Sequence, residues 1–215
     1  MFAKDRDLLV HEPDVFSDIA WAGQRLLTLP SAQVSAGSTL YVEFFSFDAW
    51  GVGVGSVLLL DGRAVEVVSL PSQDTVLFSA LRGDVSDSPR PVFGLGSSVA
   101  VEAHTFVPQL REVHGRVLRS LGLADQTTDD MLGADRVTNG AAVVEVEALG
   151  ALSLIFAAAG RVGNGSSPMS MRAAQYASRF EEALRRLRVE VDLDGDGAPD
   201  ATRRVGVVRM HRGRA

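Results

Sequence analysis

The sequence predicts an α+β protein: a small antiparallel β-barrel or sandwich, then a three-helix bundle with a C-terminal β-hairpin and a basic arm. Three observations lead there. Between Ser38 and Thr105 apolar residues recur with period two, in five short runs separated by turn residues. After Thr105 the period lengthens to that of amphipathic helices and stays so until about Arg188. Finally, two β-branched runs flank Gly195-Asp196-Gly197, which reads as a closing hairpin. The corresponding segments are 1–37 (lead-in with a short helix), 38–104 (β-domain), 105–188 (helical bundle) and 189–215 (hairpin and arm).

Each element has its own reason. Val15, Ile19, Ala22 and Leu26 follow Pro13 and Asp14 at helical spacing, so a short helix is expected there, stopped by Pro30. Residues 39–45, 52–60, 64–70, 75–81 and 99–103 read as strands. Asp61-Gly62 marks a tight hairpin, because a type I′ turn needs positive φ at both central residues. The polar, Pro-bearing stretch 82–91 is a long loop expected to make contacts. Leu110, Val113, Val117, Leu118 and Leu121 share a helical face, with Gly122 as C-cap. Asn139 offers a cap to a nearly all-apolar helix running to Ala159, of the kind found at the centre of a bundle or at an interface. Ser167-Pro168 opens the third helix, whose stripe is Met171, Ala174, Ala177, Phe180, Leu184 and Leu187.

Composition narrows the function classes. The 215 residues include 46% hydrophobic and 22% charged side chains, a globular balance. Cysteine is absent, which removes disulfides, Cys-based zinc sites and thiol nucleophiles together. The opening residues lack the apolar core of a signal peptide, so a soluble, non-secreted protein without membrane contact is expected. Charge is unevenly divided. Residues 201–215 hold five arginines and no acid, so with a net charge of -6 the rest of the chain carries -11. An acidic body repels a phosphate backbone, which argues against a sequence-reading nucleic-acid binder. A basic tail suits an acidic partner surface.

Among motifs, Asp192, Asp194, Asp196 and Asp200 occupy positions 1, 3, 5 and 9 of a calcium loop, with Gly197 at the sharp-turn position. Arg203 stands where the bidentate Glu should close the site. A cation there opposes coordination, and the plain reading is an Asp/Gly turn holding its own backbone N–H groups. The four carboxylates remain the candidate metal ligands, and no cofactor is expected. Gly51-Val52-Gly53-Val54-Gly55 lacks the spacing and the following helix of a dinucleotide loop, and reads as a barrel corner. Arg82-Gly83-Asp84 is a coincidental tripeptide. His104 and His114 read as polar positions without chemistry. Glu145 and Glu147 lie on the apolar helix and cannot share one face, so at least one is expected at an interface, with a lone solvated carboxylate as the rival reading. Nothing assembles a catalytic constellation, and no enzyme is expected.

The C-terminal half resembles the head-to-tail connector (adaptor, or head-completion) proteins of tailed bacteriophages. The residues that carry the resemblance are Ala173 to Leu187, a helix bearing Tyr176 with a basic second half, then Val191 to Asp200 and Arg203-Arg204. The apolar helix 141–159 looks like the family's central helix, and 105–110 leading into 118–123 looks like its first. The resemblance covers residues 105–215 and leaves residues 1–104 as an addition to the smallest members. It implies a homo-oligomeric, commonly dodecameric ring in the neck of the virion, assembled in the host cytoplasm. Its partners would be the portal protein on one side and a tail, stopper or tail-terminator protein on the other, with double-stranded DNA passing through during genome packaging. Under this reading Arg203, Arg204, Arg209, Arg212 and Arg214 form a portal-binding arm, and Glu145, Glu147, Leu149 and Leu152 the ring interface. The alternatives are a tail-terminator or tail-completion ring, or a calcium- or small-ligand-binding module.

Overall fold

Asp61 and Gly62 have φ of +48° and +80°, the two left-handed residues that a type I′ hairpin requires. They join β3 (Val57–Leu60) to β4 (Arg63–Ser72), with Leu60 opposite Arg63. A computed structural model of the chain describes residues 1–128, 130–162 and 168–210. The protein is α+β, and its chain divides into two compact units, Lys4–Phe106 and Val107–Ala215 together with Met1–Ala3.

The first unit is a closed antiparallel barrel. β1 (Gln24–Ser35), β2 (Thr39–Tyr41), β5 (Thr75–Ser79), β4, β3 and β6 (Ser98–Thr105) follow one another around it, and β6 pairs back onto β1. Alternation sends Leu40, Leu58, Leu60, Val65, Val67, Val76, Phe78 and Val101 into one buried cluster. In β3 the opposite face is buried as well, at Val57 and Leu59, and α2 (Val15–Asp18) packs on β3 and β4. A shorter helix, α1 (Asp5–Leu9), precedes α2, and Phe16 of α2 meets Phe106 edge-on at 5.0 Å.

One sequence expectation is overturned here. The helix through Leu26 is only α2 and a single 3-10 turn at Ala20–Ala22; from Gln24 onward the chain is strand. Pro30 does not stop a helix. It sits inside β1 where the β1–β6 register shifts between Leu29 and Ala32, a bulge in which a missing N–H costs no ladder bond. The barrel therefore begins before residue 38 and has six strands where the period-two pattern marks five.

The second unit contains α3 (Val107–Leu121), α4 (Ala141–Val162) and α5 (Pro168–Arg186), followed by a three-stranded antiparallel sheet. Its strands are β7 (Val189–Val191), β8 (Ala201–Arg204) and β9 (Val207–Met210). Pro168 opens α5, where its missing N–H is one of the orphan donors in any case. Gly122, at φ +65°, closes α3. α4 packs between its neighbours closely enough that Gly150 has no room for a side chain: a Cβ there would stand 2.6 Å from Val113 of α3 and 2.9 Å from Phe180 of α5. Asn139 does not cap α4 with its side chain. Its amide is taken up by β7, accepting from Glu190 N–H at 2.8 Å and donating to the Arg188 carbonyl at 3.1 Å.

Candidate functional site

The helical unit is organised around a carboxylate that is wholly buried. Glu147 of α4 accepts hydrogen bonds from the backbone N–H groups of Phe2 (3.0 Å) and Ala3 (2.8 Å) on Oε2. Its Oε1 lies 2.6 Å from Nδ1 of His114 on α3, and His114 Nε2 lies 3.1 Å from Asp125 Oδ1. With both carboxylates ionised, each ring nitrogen must carry a proton for both contacts to be hydrogen bonds. The Phe2 ring meets the imidazole edge-on at 5.6 Å, and Gly140 leaves the space that Phe2 occupies. The centre thus ties residues 2–3, α3, α4 and the segment after α3 together. Among the described residues, none lining the recess beside His114 bears a hydroxyl or thiol that this imidazole could activate.

These groups were not assigned to one another from sequence. His114 reads as an isolated polar residue because its partners lie 11 and 33 positions away, and Glu147 because two of its donors are main-chain groups. The one local signal is a carboxylate placed in a run of apolar residues, where burial without partners is prohibitive.

The barrel unit has its own buried ionic centre. Glu66 of β4 receives Arg6 Nε on Oε2, and Arg82 N–H (2.8 Å) and Nε (2.7 Å) on Oε1. Arg82 also donates to the carbonyls of Val85 and Asp87, both at 2.8 Å, which fixes the long loop after β5. The tripeptide Arg82-Gly83-Asp84 is accordingly not presented: Arg82 is buried and the Asp84 carboxylate is taken up by Ser86. Beside Arg6, the buried Asp5 accepts from the Thr105 hydroxyl (2.6 Å) and the Phe106 N–H (2.9 Å). Burial pushes its carboxyl up to about 6, against the lowering effect of those two donors. His104, also buried, faces Glu102 with Nε2 at 3.2 Å.

The Asp-rich turn is held by its own main chain. Asp192 accepts from Gly195 and Gly197 N–H, Asp194 from Asp196, Asp196 from Ala198, and Asp200 from Leu193. The Gly195 N–H chiefly, with Gly197 and the Arg136 guanidinium, holds the Asp192 carboxyl below its ordinary range. Carboxylate oxygens of Asp192, Asp194 and Asp200 still lie within 4.8 Å of one another, so three of the four candidate ligands converge. Gly195 and Gly197, at φ +89° and +87°, supply the left-handed backbone that brings the turn round. At the other glycine-rich motif, Gly51 and Gly55 also have positive φ and lead straight into β3, with no helix following.

The arginines of the expected arm separate. Arg203 lies in β8 and donates to the Leu121 and Gly122 carbonyls at the end of α3, so it is part of the unit's packing and not of a free arm. Arg204 is exposed at the end of β8, and Arg209 belongs to β9. Arg212 and Arg214 lie outside the described residues. Of the four expected interface residues, the fold itself buries Glu147, Leu149 and Leu152, which leaves them no surface to offer; Glu145 is exposed. α4 is long and apolar enough to cross a membrane by length and composition alone, yet 56% of that stretch is buried in the fold, as for a core helix. Compared with protein-family models, curated proteins and solved structures, the chain finds no match.

Proposed function

We propose that the chain is a head-to-tail connector protein of a tailed bacteriophage, a structural virion component that forms a ring below the portal, extends the DNA channel and offers a platform to the tail. The observation that carries this reading is the passage from α5 into the C-terminal sheet. A helix bearing Tyr176, with Arg185 and Arg186 in its last turn, enters β7 and β8 through a self-satisfied Asp-Gly-Asp-Gly turn. In this reading α3, α4 and α5 are the family's three-helix bundle and β7–β8 its hairpin.

Ring packing is supported by the apolar surface that α4 and α5 leave uncovered. Val144, Leu154 and Ala157 of α4 are half-buried, Ala158 is exposed, and Met171 of α5 is 68% exposed. A heterologous contact between neighbouring copies would cover such a strip, with Glu145 at its edge. Arg204, Arg209, Arg212 and Arg214 remain the basic group offered to an acidic portal surface.

Negative-stain imaging of the purified protein, alone and mixed with portal rings, tests the reading. Rings that stack on portals are expected; a protein that stays monomeric and ignores portals would overturn it. The three converging carboxylates favour one rival, a calcium-binding module. Calorimetric titration separates the two, because an ion binding the native state raises the melting temperature by mass action.

A further inference from the structure

Within the helical unit, α3 carries Arg111, Gly115 and Arg119 at successive intervals of four, so all three lie on one stripe, each about 6 Å from the next. Gly115 has no helix-capping or turn role to explain it, since it stands in mid-helix. Its effect is steric: a Cβ there would come within 3.3 Å of Arg119 Nη1, so the Arg119 guanidinium lies back over the bare helix, toward Arg111. Together with His114, Leu118 and Asp125 these residues line a recess of about 480 Å³. Neither guanidinium has an ion pair or hydrogen bond among the described residues, although Arg6, Arg82, Arg136 and Arg186 all pair with carboxylates.

Asp125 is the one acid of the recess, and its carboxylate is engaged by His114 Nε2. Two guanidinia lining one recess, with Arg119 laid over the bare helix surface at Gly115, can offer planar pairs of N–H donors to an oxyanion. We propose that this recess is an oxyanion-binding site, in which Arg111 and Arg119 grip a phosphate or carboxylate group. The site does not depend on the connector reading.

The test is a pair of NMR titrations, one with inorganic phosphate and one with butyrate, read at the Gly115 amide and at the Arg111 and Arg119 Nε–H signals. Saturable shifts at these three positions are expected, and the anion that saturates at the lower concentration identifies phosphoryl or carboxylate as the source. Replacing both arginines by Ala should weaken binding at least about tenfold, the loss that goes with one hydrogen bond to a charged group. Gly115→Leu keeps both charges, fills the recess and improves helix propensity, so it should abolish saturation without lowering the melting temperature. Shifts that rise linearly and equally at the surface residues Arg161, Arg185 and Arg204 would overturn the site, as would wild-type binding by the Gly115→Leu protein.

Discussion

Each of the two units buries one glutamate completely, and they neutralise it differently. Glu66 in the barrel is held between two guanidinia, whereas Glu147 in the helical unit is held by two main-chain N–H groups and an imidazole. Guanidinium stays charged at any pH the protein will meet, so the barrel's centre is permanent. The helical unit's centre takes two of its three contacts from main-chain N–H groups, which no side-chain substitution removes. Asp5 supplies the contrast to both: it too is buried, but only neutral donors reach it, and its carboxyl is pushed up to about 6. At Asp5 two neutral donors do not offset the cost of burial.

The largest effect should come from breaking the permanent centre. Glu66→Ala leaves Arg82 buried without a counter-charge and Arg6 with Asp7 alone, and should lose about 3–5 kcal/mol, read as a lower urea midpoint for the barrel. Next in size is Asp5, where the sign is opposite. Its folded value of about 6 exceeds the ordinary 3.8, so the proton is held more tightly in the native state. The stability this contributes is complete below about pH 4 and is lost as pH rises through 6, amounting to about 3 kcal/mol at ~1.4 kcal/mol per pH unit. Asp5→Asn should therefore raise stability at pH 7 and leave it nearly unchanged at pH 4. Urea unfolding at the two values checks it, and an equal gain at both would show that charge is not the cause.

His114→Gln should cost about 1–3 kcal/mol, because it removes the imidazole donor from a buried carboxylate while leaving the two main-chain donors in place. The smallest change is expected from Asp125→Asn. Its side chain is 81% exposed, and loss of an ion pair in water should move stability by less than about 1 kcal/mol. If Asp125→Asn matched His114→Gln, the imidazole would be anchored from its outer side and the comparison with Glu66 would fail.

Much of the fold was legible in the sequence. The Asp61-Gly62 turn, the strands after residue 38 and all three long helices follow from period and punctuation, which are local signals. β1 was misread because Val15, Ile19, Ala22 and Leu26 match a helical stripe by chance of spacing, and because Pro30 looks like a stop. Only pairing with β6, more than sixty residues on, decides that Gln24–Ser35 is a strand. The buried centres were the least legible part. Arg82 gave no sign of facing Glu66, nor His114 of facing Glu147, since such partnerships are fixed by tertiary contact alone. The Asp-rich turn could be read because its hydrogen bonds span no more than seven residues.

The main-chain bonds from Phe2 and Ala3 to Glu147 also set an order of events during synthesis. Residues 2 and 3 are made 144 or 145 residues before the acceptor that they bind. In the interval the barrel can close, since β1 needs nothing beyond Thr105 of β6. Residues 2 and 3 thus wait while a whole unit forms behind them, and they find their place only after all of α3 and the start of α4 have left the exit tunnel.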